Sequence, residues 1–203
     1  MTEPTGFAIT VPDSWFEIDV HPDTRNTAIS ALVNERIREV PELMPHRAAL
    51  TRALRGVARS AYANGAAYCG VMVQGFDEAL LTASVTVSIV RAPGNDTDAS
   101  AVTAQLRPLP RTGADSPWRE VVQAALPEVG SVARTRGVED VVLPEGEGWI
   151  RSVMMQTFVP FPGPDPGRIA VITASSPILP LTEDLLDLFD AVTGTFRFLS
   201  AGS

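Results

Sequence analysis

Residues 84–89 run Ser-Val-Thr-Val-Ser-Ile, a strict alternation of hydroxyl and branched apolar side chains. Only an extended strand sends successive side chains to opposite faces, so this run belongs in a sheet with one dry face and one polar face. One-sided wetting marks antiparallel sheets, because parallel sheets are covered on both faces and their strands read as continuous apolar runs. Phe7, Ile9 and Val11 repeat the period, Pro12-Asp13 makes a turn, and 15–20 alternate again. Further strand patterns occupy 68–76, 80–91, 129–142, 149–158 and 168–175, and 195–198 reads as a short last strand or extended tail.

From Asp23 or Thr24 the apolar period lengthens to that of a helix: Ala28, Ile29, Leu32, Val33, Ile37 and Val40 share a stripe that Pro41 ends. A second helix is expected from about Pro45, with Leu50, Ala53, Leu54, Val57 and Ala61 on one face and Arg52, Arg55 and Arg59 pointing the other way. Residues 92–114, rich in Gly, Pro, Asp, Thr and Ala, are expected as a long surface connection with a turn of helix near Val102. Ser116-Pro117 has the form of an N-cap followed by a first-turn proline, which predicts a short helix over 118–126. The proline-dense 160–167 is unsuited to a central strand and is expected to project as a loop, and Thr182 is expected to cap a final helix through Val192. With no internal repeat and no dividing linker, 1–203 reads as a single domain. The expected class is α+β, an antiparallel sheet of about six strands packed with the 23–64 helix pair and the C-terminal helix.

The opening Phe7-Ala8-Ile9-Thr10-Val11-Pro12-Asp13-Ser14-Trp15 resembles the strand, proline, turn, tryptophan start of PsbP-like, DcrB-like and LpqN-like domains. The amphipathic helix followed by Thr195-Phe196-Arg197-Phe198 is similar to their close. The resemblance implies a PsbP-like architecture and a family of mostly non-enzymatic binding modules. These include extrinsic subunits of photosynthetic complexes, a regulator of a nuclear-transport GTPase, mycobacterial lipoproteins and chaperones for secreted effectors. It brings no common catalytic motif. This chain departs from many such relatives in its two consecutive helices and in its start, Met1-Thr2-Glu3-Pro4, which does not read as a secretory or lipoprotein leader. A cytoplasmic location is therefore expected.

Composition narrows the chemistry. All 16 basic residues are arginine, which excludes Schiff-base chemistry, a phosphate-loop lysine and a lysine general base. Arginine without lysine, beside abundant Ala, Gly, Pro and Val, is the composition of strong GC codon bias, as in actinomycetes. A net charge of −8 opposes nucleic acid and anionic membranes as partners, and no apolar run suits a membrane span. Cys69 is the only cysteine, and His21 and His46 are the only histidines, so neither a disulfide nor a cysteine zinc cluster can form within the chain. Gly146-Glu147-Gly148 lacks the third glycine of a dinucleotide fingerprint and reads as a turn. Asp96-Thr97-Asp98 offers two carboxylates without the further oxygens a cation needs. No cofactor, metal site or catalytic residue is therefore expected.

What remains are candidates for interaction. Arg36 falls near the middle of the first helix's apolar stripe, where a guanidinium must snorkel to water, form an internal ion pair, or hold an anionic group where this face meets a partner or lines a cleft. Arg52, Arg55 and Arg59 form a basic helix face that is either plain solvated surface or a docking patch. Phe161 sits in the proline-rich loop. Two functions are consistent with these features. The first is a non-enzymatic adaptor or chaperone-like module that binds another protein, a secreted effector or a secretion-system component among the candidates. The alternative is a small-molecule-binding domain or weak hydrolase using a cleft near Trp118, Trp149 and Arg36.

Overall fold

The computed structural model describes residues 4–76, 79–92, 96–113, 116–142, 148–163 and 167–200. Its strands are β1 (Gly6–Ala8), β2 (Trp15–Glu17), β3 (Ala66–Phe76), β4 (Ala79–Arg91), β5 (Trp118–Leu126), β6 (Gly130–Val142), β7 (Trp149–Pro160), β8 (Arg168–Ser176) and β9 (Arg197–Leu199). The helices are α1 (Arg25–Glu39), α2 (Arg47–Ala63), α3 (Ala99–Gln105) and α4 (Thr182–Gly194), with a 3-10 turn, Pro41–His46, joining α1 to α2. The main sheet has seven strands in the order β2-β3-β4-β8-β7-β6-β5, and β1 and β9 pair separately. Every pairing is antiparallel, so the α+β class read from the alternation holds.

The seventh strand is β5, for which a helix was expected. Trp118, Val122 and Leu126 are spaced by four, which suits a helical stripe and a strand face equally. Propensity also favours a helix, since Arg, Glu, Gln, Ala and Leu dominate the segment. Tertiary context decides for the strand: β6 offers Gly130 to Val138 as an open edge, and β5 pairs with it residue by residue from Leu126 to Trp118. A helix there would leave the N–H and C=O groups along that side of β6 without partners.

Two cores flank the sheet. On one face α4 brings Leu185, Phe189 and Val192 onto Val85, Val87, Ile172, Val153 and Met155, and Phe196 is fully buried among them. On the other, the hairpin of α1 and α2 packs Ile29, Val33, Leu50 and Leu54 against Cys69, Val71 and Val73 of β3. The register runs Cys69, Thr86, Thr173, Gln156, Thr135 and Val121 across this second face. Its middle is therefore hydroxyl-rich, as Ser84 and Thr86 required. Ser84 and Ser175 share a hydrogen bond of 3.1 Å there, and Gln156 donates to Thr173 at 3.4 Å. Over the far end of the same face lies α3, where Gln123 donates to Ser100 at 3.4 Å.

Several local expectations change. The turn of helix near Val102 is the helix α3, capped by Asp98, whose carboxylate accepts from Ser100 and Ala101 N–H. Asp98 is thus committed to the helix end, and those two bonds, Ala101's first, hold its carboxyl below its usual pKa. Thr182 does not cap α4; its hydroxyl donates to the Leu179 carbonyl at 2.6 Å. Ala53, placed on the inner face of α2, is exposed, and Ala58 takes the buried position. The Gly146-Glu147 portion of the glycine pair and 164–166 of the proline-rich stretch lie outside the described residues.

Cys69 is 1% exposed, beneath the α1–α2 hairpin. Burial, with the Glu17 carboxylate adding to it, pushes its thiol pKa up to about 12. The raised value makes Cys69's share of stability complete below the ordinary thiol pKa and lost as pH climbs toward 12. We expect no labelling of native protein by iodoacetamide at pH 8 and full labelling once urea unfolds it. Stoichiometric labelling of the native chain within minutes would show that the hairpin opens.

Candidate functional site

The outward face of α2 carries the sequence's basic residues because the inward one is consumed by Leu50, Leu54, Ala58 and Ala61. Together with the preceding 3-10 turn, this outward face forms a groove of about 660 Å3. Arg52, Arg55 and Arg59 line it, Arg47 joins them, and Met44 and Pro45 contribute from the 3-10 turn. Thus the structure gathers three of the five expected interaction residues in one place and adds a fourth guanidinium. Among the described residues no carboxylate lines the groove, although the chain carries a net charge of −8.

Among the described residues the guanidinium groups have neutral hydrogen-bond partners or none. Arg47 donates to the Asn34 side-chain oxygen at 2.8 Å, and Arg55 to the Ser30 hydroxyl at 3.3 Å, which ties α2 to α1 without cancelling charge. Arg55 Nε is buried with no hydrogen-bond partner. Such an orphan donor is unusual in folded proteins. Arg52 and Arg59 are exposed. The arrangement costs stability: arginines three and four apart on a helix repel, and Arg47 in the first turn opposes the positive end of the helix dipole. At the groove mouth, Met44 is 57% exposed, an adaptable apolar contact beside the charges.

The other expected residues lie elsewhere. Arg36 stands on α1 with its side chain 22% exposed, paired to Glu39 at 3.0 Å and 5.3 Å over the Phe16 ring. It is a locally compensated cation, since the helical stripe puts its stem on the hairpin core while Glu39, three residues on, meets its head. Phe161 packs on the α4 side of the sheet, its ring 4.7 Å from that of Phe198 and beneath the Arg168 guanidinium. The two tryptophans of the alternative reading are separated. Trp118 pairs with Val138 and Trp149 with Val142, so they flank β6 on opposite sides with an offset of about 13 Å along the strand. Trp118 is 8% exposed and Trp149 60%. Neither His21, which faces Asp23 and Tyr62, nor His46 is hydrogen-bonded to Cys69 among the described residues.

Sequence reasoning missed Arg47 and Met44. At about 100° per residue Arg47 falls well off the stripe of the other arginines. It reaches the groove through its bond to Asn34, a contact between helices that spacing within one helix cannot reveal.

The fold and groove define an α+β module whose antiparallel sheet carries helices on both faces and a basic cleft on the outermost hairpin. No family model matches the sequence, and no curated protein does. Among solved structures, LpqN, involved in cell envelope biogenesis of Mycobacterium tuberculosis, is similar over 96% of this chain and 86% of that one, with 14% identity and a TM-score of 0.49. No helix among the described residues is long and apolar enough to cross a membrane.

Proposed function

We propose that this chain is a non-enzymatic, adaptor- or chaperone-like binding module that holds an acidic segment of a partner protein in the α2 groove. The observation that carries this reading is the convergence of four guanidinium groups, with no carboxylate lining among the described residues, on an acidic protein. Carboxylates of an extended or helical segment would satisfy the fork of each arginine, and an apolar side chain beside them would meet Met44. The sequence resemblance to PsbP-like and DcrB-like modules, the secretion link it suggested, and a cytoplasmic setting belong to the same proposal.

The test uses a fluorescein-labelled glutamate-rich peptide with one leucine, followed by anisotropy. Arg52→Glu, Arg55→Glu and Arg59→Glu combined should weaken binding by about 10–100-fold, three ion pairs at roughly 0.5–1 kcal/mol each. Raising the salt to 0.5 M should weaken the wild type in the same direction. Arg52→Glu with Arg59→Glu, which leaves the Arg55–Ser30 contact in place, should weaken binding in the same direction while the thermal midpoint stays within a few degrees, because both residues are exposed. Equal binding by wild type and triple variant, or preference for a single-stranded oligonucleotide over the peptide, would overturn the reading.

A further inference from the structure

The two edges of the main sheet are unequal. At one end β2 has three residues, too short to template another strand. At the other, β5 has nine, and among the described residues its outer side is hydrogen-bonded through the backbone only at Arg119, which exchanges bonds of 2.9 and 2.8 Å with Leu109. That bridge is isolated: no further pairing extends it toward Val121 among the described residues. Because Arg119 turns its N–H and C=O outward, residues of the same parity do too: Val121, Gln123 and Ala125. No backbone hydrogen bond of theirs to another segment is present among the described residues.

The usual guards of an exposed edge are absent. The chain has no lysine, β5 has no proline, its pairing with β6 has no bulge, and 121–125 carry no charge. The open window also has a particular symmetry. It is bounded on one side by Arg119, already bonded, and on the other by Pro127, which cannot donate. Gln123 is its midpoint.

From this we infer that β5 is a homodimer interface, pairing antiparallel with β5 of a second copy about a twofold axis at Gln123. In that register Gln123 meets its own counterpart and Val121 meets Ala125, giving about six backbone hydrogen bonds. Val122 lies across from Ala124, and Glu120 from Leu126, so no like charges face each other. An unrelated strand has no reason to share this centring, whereas an isologous contact demands it. The two sheets run on as one, and the α2 grooves, which sit over β3, lie toward its two far ends. The pairing does not depend on what those grooves bind.

The experiment is sedimentation equilibrium of the full chain at tens of micromolar, with three variants. The wild type should be dimeric. Gln123→Cys should form a disulfide-linked dimer under mild oxidation, with buried Cys69 not competing. Gln123→Pro removes the outward N–H while sparing the bonds to β6, and should be monomeric. Should that variant fail to fold, Gln123→Arg decides, because it sets two cations against each other at the axis and should weaken association at least about tenfold. A monomeric wild type, a dimer that survives either substitution in folded protein, or no cross-link would overturn the inference.

Discussion

Gly137→Ala is expected to cost about 3 kcal/mol or more, at the upper end of what overpacking does. Gly137 sits in β6 opposite Arg119, and a Cβ there would fall 2.1 Å from the Trp118 carbonyl oxygen and 2.9 Å from its carbon. Both atoms are backbone, so no rotamer change can make room. Either β5 moves off β6, or β6 bends away from β7 and loses the pairing of Gly137 with Met154. In a chain of this size the thermal midpoint should drop by roughly 6–12 °C. Hydrogen exchange should show protection lost first at the β5 amides. Gly56→Ala is the contrast: an added Cβ meets nothing within 4 Å in the middle of α2, and the variant should be more stable by about 0.5–1 kcal/mol. A Gly137→Ala protein that melts with the wild type would mean that β5 is not held at the spacing observed.

That sensitivity also shows where the sequence is silent. Period-two alternation placed β3, β4, β6, β7 and β8 because a strand face is a local property, visible in neighbours such as Val85 and Thr86. Strand order was not visible: β8 inserts between β4 and β7, a pairing between segments about 80 residues apart in sequence on the β4 side. Nor was β5, whose four-residue spacing suited either structure. The groove divides similarly. Arg52, Arg55 and Arg59 could be found from helical spacing alone. That no carboxylate joins them depends on how α2 and the 3-10 turn fold against α1.

An ion pair more deeply buried at its arginine than Arg36–Glu39 stands between β6 and α4. Arg134 alternates with Val132 on the core face of β6 and is 4% exposed under α4. Its Nε donates to Thr157 at 3.0 Å, one Nη to Thr193 at 2.9 Å and the other to Asp190. Asp190 belongs to the exposed side of α4. Its side chain is 64% exposed, yet one oxygen reaches inward to the guanidinium. Sequence could not tell the two arginines apart, because burial of Arg134 is imposed by a helix more than 50 residues away.

Removing the acid leaves the charge stranded. Asp190→Ala should therefore cost about 3 kcal/mol by urea unfolding, the low end for a broken buried pair because solvent reaches Asp190. Arg134→Met combined with Asp190→Ala removes both charges and keeps the volume, leaving mainly the Thr157 hydroxyl in need of a partner. That variant should lose only about 1–2 kcal/mol, less than Asp190→Ala alone. The sign of this comparison carries the argument: a pair that stabilised by attraction alone would make the double variant at least as weak as the single one. If the double variant proves the less stable, Arg134 earns its place through net attraction. If it proves the more stable, the pair chiefly fixes how α4 seats on the sheet, since Thr193 and Asp190 must both face β6 for Arg134 to be satisfied.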